Sequence, residues 1–389
     1  MNIRPEIKDI EQSIIDWRRD FHQFPELAFD EHRTSKIIGE ALKGMGLAPK
    51  MNVGKTGVTA DLKFGDGPTI ALRADMDALP MQETSGLEFS SKHEGVMHAC
   101  GHDGHMAMLL GAAKILTRNG NGFKGTVRFI FQPAEEGGGG ARYMIEDGCL
   151  ENVDEIYGIH VWNYQPVGEV GIKDGPVLAA ADMFDIKIKG IGGHGAAPQG
   201  TVDAIVVSSH LVQALQTIVS RNTNPLESTV VTIGKITGGN NFNIIADEVV
   251  LVGTARSYTE ENRTLIKTRM AEIIDGVAKT FGAEISFNYV DGYPPTINHL
   301  EPSNKVLKAA KKVVGEKAGM PYLSMGGEDF SYYLQKVPGC FFFVGSAPND
   351  QELFETPHHC SHFTLDERAL LVGPSIYLNL VDDILGTVE

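Results

Sequence analysis

Apolar and charged residues alternate strictly from Phe184 to Lys189. Phe184, Ile186 and Ile188 fall on one face, and Asp185, Lys187 and Lys189 on the other. Side chains in a strand have a period of two, so this segment is buried on one side and solvated on the other. A long helix follows over about 201–221, then strands over 228–237 and 247–257, a helix over 260–281 and a strand over 284–290. That order, β-α-β-β-α-β, is the ferredoxin-like split unit. The pattern on either side is different. Helices are expected over 5–24, 31–46 and 104–117, and strands over 57–64, 68–73, 126–131 and 156–161. After Gly292-Tyr-Pro-Pro come a helix over 303–315, an apolar strand Cys340–Val344 and a helix over 366–384. Strands alternating with helices argue an α/β layer architecture. The expectation is therefore one discontinuous α/β domain, 1–181 plus 296–389, with a ferredoxin-like domain, 182–295, inserted in it. A chain of 389 residues has room for both.

Composition excludes several functions. Lys and Arg number 34 against 50 Asp and Glu, a formal charge of −16. Such a chain is poorly suited to grip a phosphate backbone or to lie on an anionic membrane. Four cysteines are too few at this length for a disulfide scaffold, and fit thiols in a reducing compartment. The first twenty residues interleave acids and bases without an apolar core, and no run of about 18 apolar residues occurs anywhere. A cytoplasmic protein is expected.

Histidine is the informative residue. Seven of the 13 lie in two windows, 93–105 and 358–362. In Met97-His-Ala-Cys-Gly-His-Asp-Gly-His105, an extended 98–102 would turn Cys100 and His102 to the same side. Thiolate and imidazole suit zinc, nickel, cobalt or a similar ion. Asp103 and His105 follow at a helix start, placed to support such ligands. Phe131-Gln-Pro-Ala-Glu-Glu-Gly137 sets Glu135 and Glu136 at the end of an apolar strand. Adjacent residues there point differently, so one carboxylate can bind metal while the other serves as a base. The competing reading is an acidic helix start. His160 interrupts an apolar strand, and Pro357-His-His-Cys-Ser-His362 supplies further imidazoles. Together these make an inventory for two divalent ions able to activate a water. Gly190-Ile-Gly-Gly-His-Gly195 matches G-x-G-x-x-G, but no acidic residue follows about 20 positions on, so a dinucleotide fold is weakly supported. No G-x-S-x-G elbow and no P-loop occur.

Taken together, the segments Arg18–Glu26, Leu72–Pro80, His98–His105, Gln132–Gly137, Gly158–His160, Gly192–Gly195 and Gly327–Ser331 resemble the M20 metallopeptidase family. The closest group is its amidohydrolase branch of hippurate hydrolases, N-acyl-amino-acid aminoacylases and auxin-conjugate hydrolases. The resemblance covers essentially the whole chain. It implies a two-metal catalytic domain and a smaller lid domain through which such proteins often dimerise. By matched position it implies metal ligation by Cys100, His102, Glu136, His160 and His359. It also implies a general base at Glu135 and an oxyanion stabiliser at His194, in its own site or the partner subunit's. Asn243 is implied as a lid contact with substrate, and Arg256 as a cation for the substrate carboxylate. Register from Phe363-Thr-Leu-Asp-Glu367 selects His359, with His358 and His362 as near alternatives. Gln199 stands where relatives often carry His.

The activity implied is metal-dependent hydrolysis of N-acyl-amino acids, with two divalent ions (zinc, manganese, nickel or cobalt) as cofactors. A dipeptidase or carboxypeptidase, or an N-acetyl-diaminopimelate deacetylase, could run on the same site. A metal-binding protein without catalysis is the alternative from another class.

Overall fold

The computed structural model describes residues 1–118, 122–348 and 354–386. The chain divides into two compact units. The larger comprises Met1–Val177, Ile297–Leu323 and Asp329–Glu389; the smaller comprises Leu178–Thr296 and Ser324–Glu328.

The larger unit is built on an eight-stranded mixed sheet. Its centre is four parallel strands lying in the order Thr126–Gln132, Thr69–Asp75, Glu155–Pro166 and Gly339–Ala347. Gly57–Lys63 and Lys50–Val53 extend one side antiparallel, and the short Val170–Gly171 and Ala318–Gly319 finish the other. Every residue of Gly339–Ala347 is buried, as both faces of a parallel sheet demand. The helix His102–Leu116 is buried almost all round, because Met106, Leu109, Leu110 and Ala113 leave it no polar face. It packs beside Glu11–Gln23 and Val372–Leu385.

Two helices differ from the expected spans. The 5–24 segment is broken into Pro5–Lys8 and Glu11–Gln23, and the break lets Ile7, Ile10 and Ile14 all reach the core. The 366–384 segment opens as a tighter turn, Glu367–Leu371, started by the Asp366 carboxylate on the Arg368 N–H. Among the described residues no helix is long and apolar enough to cross a membrane.

The smaller unit has the order β-α-β-β-α-β. Its four antiparallel strands lie as Thr229–Gly238, Glu248–Ser257, Ala180–Lys189 and Glu284–Tyr293. Every second residue of Ala180–Lys189 is buried. Phe184, Ile186 and Ile188 meet Val207, Leu211 and Leu215 of the helix Ala204–Thr217, and Ile266, Met270 and Ile274 of the helix Glu260–Phe281. Asp203 and Thr259 cap those helices, and Gly282, at φ 70°, ends the second. Residues 324–328 join this unit through the Ala179 N–H on Gly326 O and the Tyr258 hydroxyl on Ser324 O.

Candidate active site

The site lies at the carboxyl ends of the central parallel strands, where open α/β sheets expose their ligand crevices. The strand Thr69–Asp75 ends in Asp75 and runs on to Asp77. Its neighbour Thr126–Gln132 runs on to Glu135 and Glu136. His160 sits within Glu155–Pro166, paired with Phe343. Residues 98–101 are not extended. Gly101 has φ 91°, and His102 is already the first residue of the buried helix. A Cβ at Gly101 would fall 2.3 Å from Val161 Cγ2, so only glycine permits this turn. The turn still gathers Cys100 and His102, but sends His98 elsewhere: its ring lies 6.5 Å from that of His22.

Two of the three ligand-type histidines are oriented alike. His102 Nδ1 lies 2.8 Å from the Asp77 carbonyl oxygen, and His160 Nδ1 lies 2.5 Å from that of Val161. A carbonyl can only accept, so each Nδ1 carries a proton and each Nε2 is the nitrogen left to take a metal once any proton of its own is displaced. His160 Nε2 is 3.4 Å from Cys100 Sγ. His359 Nε2 is 3.0 Å from Glu136 Oε1, held there by a backbone at φ 64° and an N–H bonded to Ala99 O. The donor atoms of Cys100, His102 and His160 lie within 4.8 Å of one another, as do those of Cys100, Glu136 and His359, and those of His102, Glu135 and Glu136.

Asp75 and Asp77 join the site too, and two carboxylates closing an apolar strand are the sequence signal for them. Asp77 accepts the N–H groups of Glu135 and Glu136 on its two oxygens, at 2.8 and 2.9 Å. It therefore fixes the turn that carries both glutamates. Asp75 lies 2.6 Å from His105 Nδ1, and His105 Nε2 accepts the Val161 N–H. Both ring nitrogens of His105 are thus engaged, so it supports the cluster without offering it a lone pair.

The charge balance calls for a cation. Burial pushes the Cys100 thiol well above its usual range, and Glu136 and Glu135 add to the effect. Burial alone would raise Asp75, but His102, Arg73 and His105 hold it well below the carboxylate range. Burial opposes charge on His102, yet Asp75 and Asp77 lift it to about 10. His160 is driven well down by burial and by neighbouring His105 and His358. His102 Nε2 is buried without a hydrogen-bond partner. An acid-rich pocket lined by imidazole Nε2 atoms and one thiol suits borderline divalent ions, which would displace the protons these groups hold, so the residues present fit two metal ions.

Asp103 turns away from the cluster and accepts from Arg18 Nε at 2.9 Å, with His22 Nδ1 also 2.9 Å from it. Burial would raise Asp103, but Arg18 and His22 hold it far below normal. A depressed folded pKa confers stability that is present above about 4 and lost as pH falls. Arg18→Leu would leave this buried carboxylate with His22 alone as its charged partner, and about 3 kcal/mol of stability is expected to go. Thermal melts from pH 3 to 7 check it: the variant should melt far lower at pH 7 and lose much of the wild-type acid sensitivity.

His358 is half-buried, accepts the Asn163 N–H and is pushed to about 3 by desolvation and His359; His362 is exposed on Glu355 O. Neither shares in the donor groups that contain His359. On the smaller unit, His194 and Asn243 come together. His194 pairs with Ile244 in a two-stranded ribbon, and the Gly195 N–H donates to Asn243 O at 2.8 Å. Both side chains are exposed. Arg256 lies in the Glu248–Ser257 strand, its Nη1 bonded to Thr254 Oγ1 and to the carbonyls of Ala255 and Asp182.

The sequence matches the peptidase family M20/M25/M40 over residues 71–383. It is 43% identical over 366 residues to an N-acetyl-L-cysteine deacetylase of Bacillus subtilis, covering 94% of this chain and 86% of that protein. It is 41% identical over 379 residues to the IAA-amino acid hydrolase ILR1-like 4 of Arabidopsis thaliana, covering 94% and 85%. The crystal structure of the Bacillus subtilis YXEP protein, described as a dinuclear metal binding peptidase from the M20 family, superposes with a TM-score of 0.85 at 37% identity, covering 98% of this chain and all of that one. A donor set that fits two ions, on this fold and with relatives of this closeness, places the chain in the peptidase family M20/M25/M40.

Proposed function

We propose that this chain hydrolyses the amide bond of N-acyl-amino acids, yielding a carboxylic acid and a free amino acid. The observation that carries the reading is the pair at 135–136, anchored through its backbone by Asp77 beside the donor set. The names of two relatives, an N-acetyl-L-cysteine deacetylase and an IAA-amino acid hydrolase, support it.

In this reading Cys100, His102, Glu136, His160 and His359 hold two divalent ions. When bound, such ions polarise the acyl oxygen and acidify water. Glu135, buried at the cluster, takes a proton from the attacking water and delivers it to the leaving amine. His194 donates a hydrogen bond to the developing oxyanion. Asn243 contacts substrate from the same ribbon. Arg256 meets the substrate carboxylate, for which it would have to surrender bonds to its own sheet. The smaller unit acts as a lid and as the surface through which two chains pair.

The test is a side-by-side assay of N-acetyl-amino acids, hippurate, N-acetyl-diaminopimelate and dipeptides. An N-acyl-amino acid is expected to show the highest kcat/KM, by at least about tenfold, or 1.4 kcal/mol. A dipeptide preferred by that margin would overturn the reading.

A further inference from the structure

Three consecutive N–H groups at the approach to Glu135 are held by two buried carboxylates from elsewhere in the chain. Asp77 takes those of Glu135 and Glu136. The third, of Ala134, donates to Glu31 Oε1 at 2.9 Å across 103 positions of sequence. Glu31 is fully buried at the start of the helix His32–Gly44. Its own position is fixed twice over. Oε2 accepts the Thr56 hydroxyl, and the Ser35 hydroxyl lies between the Glu31 and Thr56 carbonyl oxygens, with one proton to give to either.

Ala134 has φ 54°. That left-handed conformation is disfavoured for any residue with a Cβ, so something must hold it. The residue immediately after it is Glu135.

We propose that Glu31 is a positioning residue for the reaction. Its carboxyl keeps Ala134 left-handed and so sets the direction in which the Glu135 side chain leaves the backbone. The inference rests on the reading of Glu135 as the base. The contact needs only an acceptor at Oε1. Burial lifts the Glu31 carboxyl to about 7, but Oε1 can accept in either protonation state, because the Thr56 hydroxyl can donate to the carboxylate or accept from the acid. Glutamine keeps that acceptor, whereas alanine leaves the Ala134 N–H without it. Glycine at 134 enters positive φ without help.

The experiment compares Glu31→Ala, Glu31→Gln, Ala134→Gly and the double variant Glu31→Ala/Ala134→Gly in the metal-loaded full chain, on an N-acetyl-amino acid. Metal content is measured alongside. Glu31→Ala should lower kcat on the order of 10- to 100-fold, as a misplaced group does, with KM within about twofold and metal content unchanged. Glu31→Gln should stay within about threefold of wild type, and Ala134→Gly should restore much of the loss in the double variant, a coupling that independent sites would not show. An unchanged kcat in Glu31→Ala would overturn the inference. So would equal damage from Glu31→Gln, or losses that simply add in the double variant.

If Glu31→Ala does not fold, Thr56→Val loosens Oε2 instead. The same kcat loss, relieved by Ala134→Gly, is then expected, and wild-type kcat overturns the inference. Glu135→Ala run in parallel separates the two readings. Full turnover in that variant removes the base; its loss beside an unaffected Glu31→Ala removes only the role of Glu31.

Discussion

Glu135→Ala is expected to lower kcat by about 10²- to 10⁴-fold, the range that one positioned proton-transfer group supplies. KM and metal content should stay close to wild type. The expectation follows from a division of labour between neighbours. Glu136 Oε1 lies against His359 Nε2 and groups with Cys100, whereas Glu135 groups with His102 and Glu136. Both side chains leave one turn, whose two N–H groups Asp77 holds, and only that of Glu136 meets His359. Removing the Glu135 carboxylate leaves the five proposed ligands in place, so metal analysis and turnover should part company in this variant. Turnover within a few fold of wild type would remove Glu135 from the chemistry.

Cys100→Ala is expected to have the opposite signature, losing metal and turnover together. Cys100 belongs to two of the donor groups, one with His102 and His160 and one with Glu136 and His359, so a single thiolate can serve both ions. Even outer partners of metal ligands change affinity by about 10–100-fold, so deleting a ligand should exceed that. In the metal-free protein the buried thiol is protonated, because burial and the two glutamates oppose the thiolate. Metal uptake must therefore release protons, and affinity should rise with pH. Calorimetry in buffers of different ionisation enthalpy measures that release. Binding of both ions to Cys100→Ala with wild-type affinity would contradict the role of the thiol.

How much of this was visible before folding differs from element to element. The strict alternation at 184–189 announced a half-buried strand, and the order that follows it is the order observed. That signal is local and has a fixed period, so it survives translation into structure. The clustering of Cys100, His102 and His160 was also legible, but for a partly wrong reason. An extended 98–102 was expected, whereas the left-handed Gly101 makes the approach, and the same turn carries His98 away. A backbone that tight depends on Val161, some 60 residues on, which no local pattern reveals. Asp103 looked like support for the ligands and instead pairs with Arg18 and His22. Asp77 and Glu31 went unread because they work through backbone N–H groups of a distant turn. Periodicity reports which face a side chain takes, not which peptide group it will hold.

In this mechanism catalysis needs both ions in the site formed by these residues. Turnover of an N-acetyl-amino acid, measured against bound metal per chain as the metal-free protein is reloaded, tests it most directly. Hydrolysis is expected to be negligible without metal and to rise until it levels off at two ions per chain. Full turnover by metal-free protein, or a plateau reached at one ion, would contradict it.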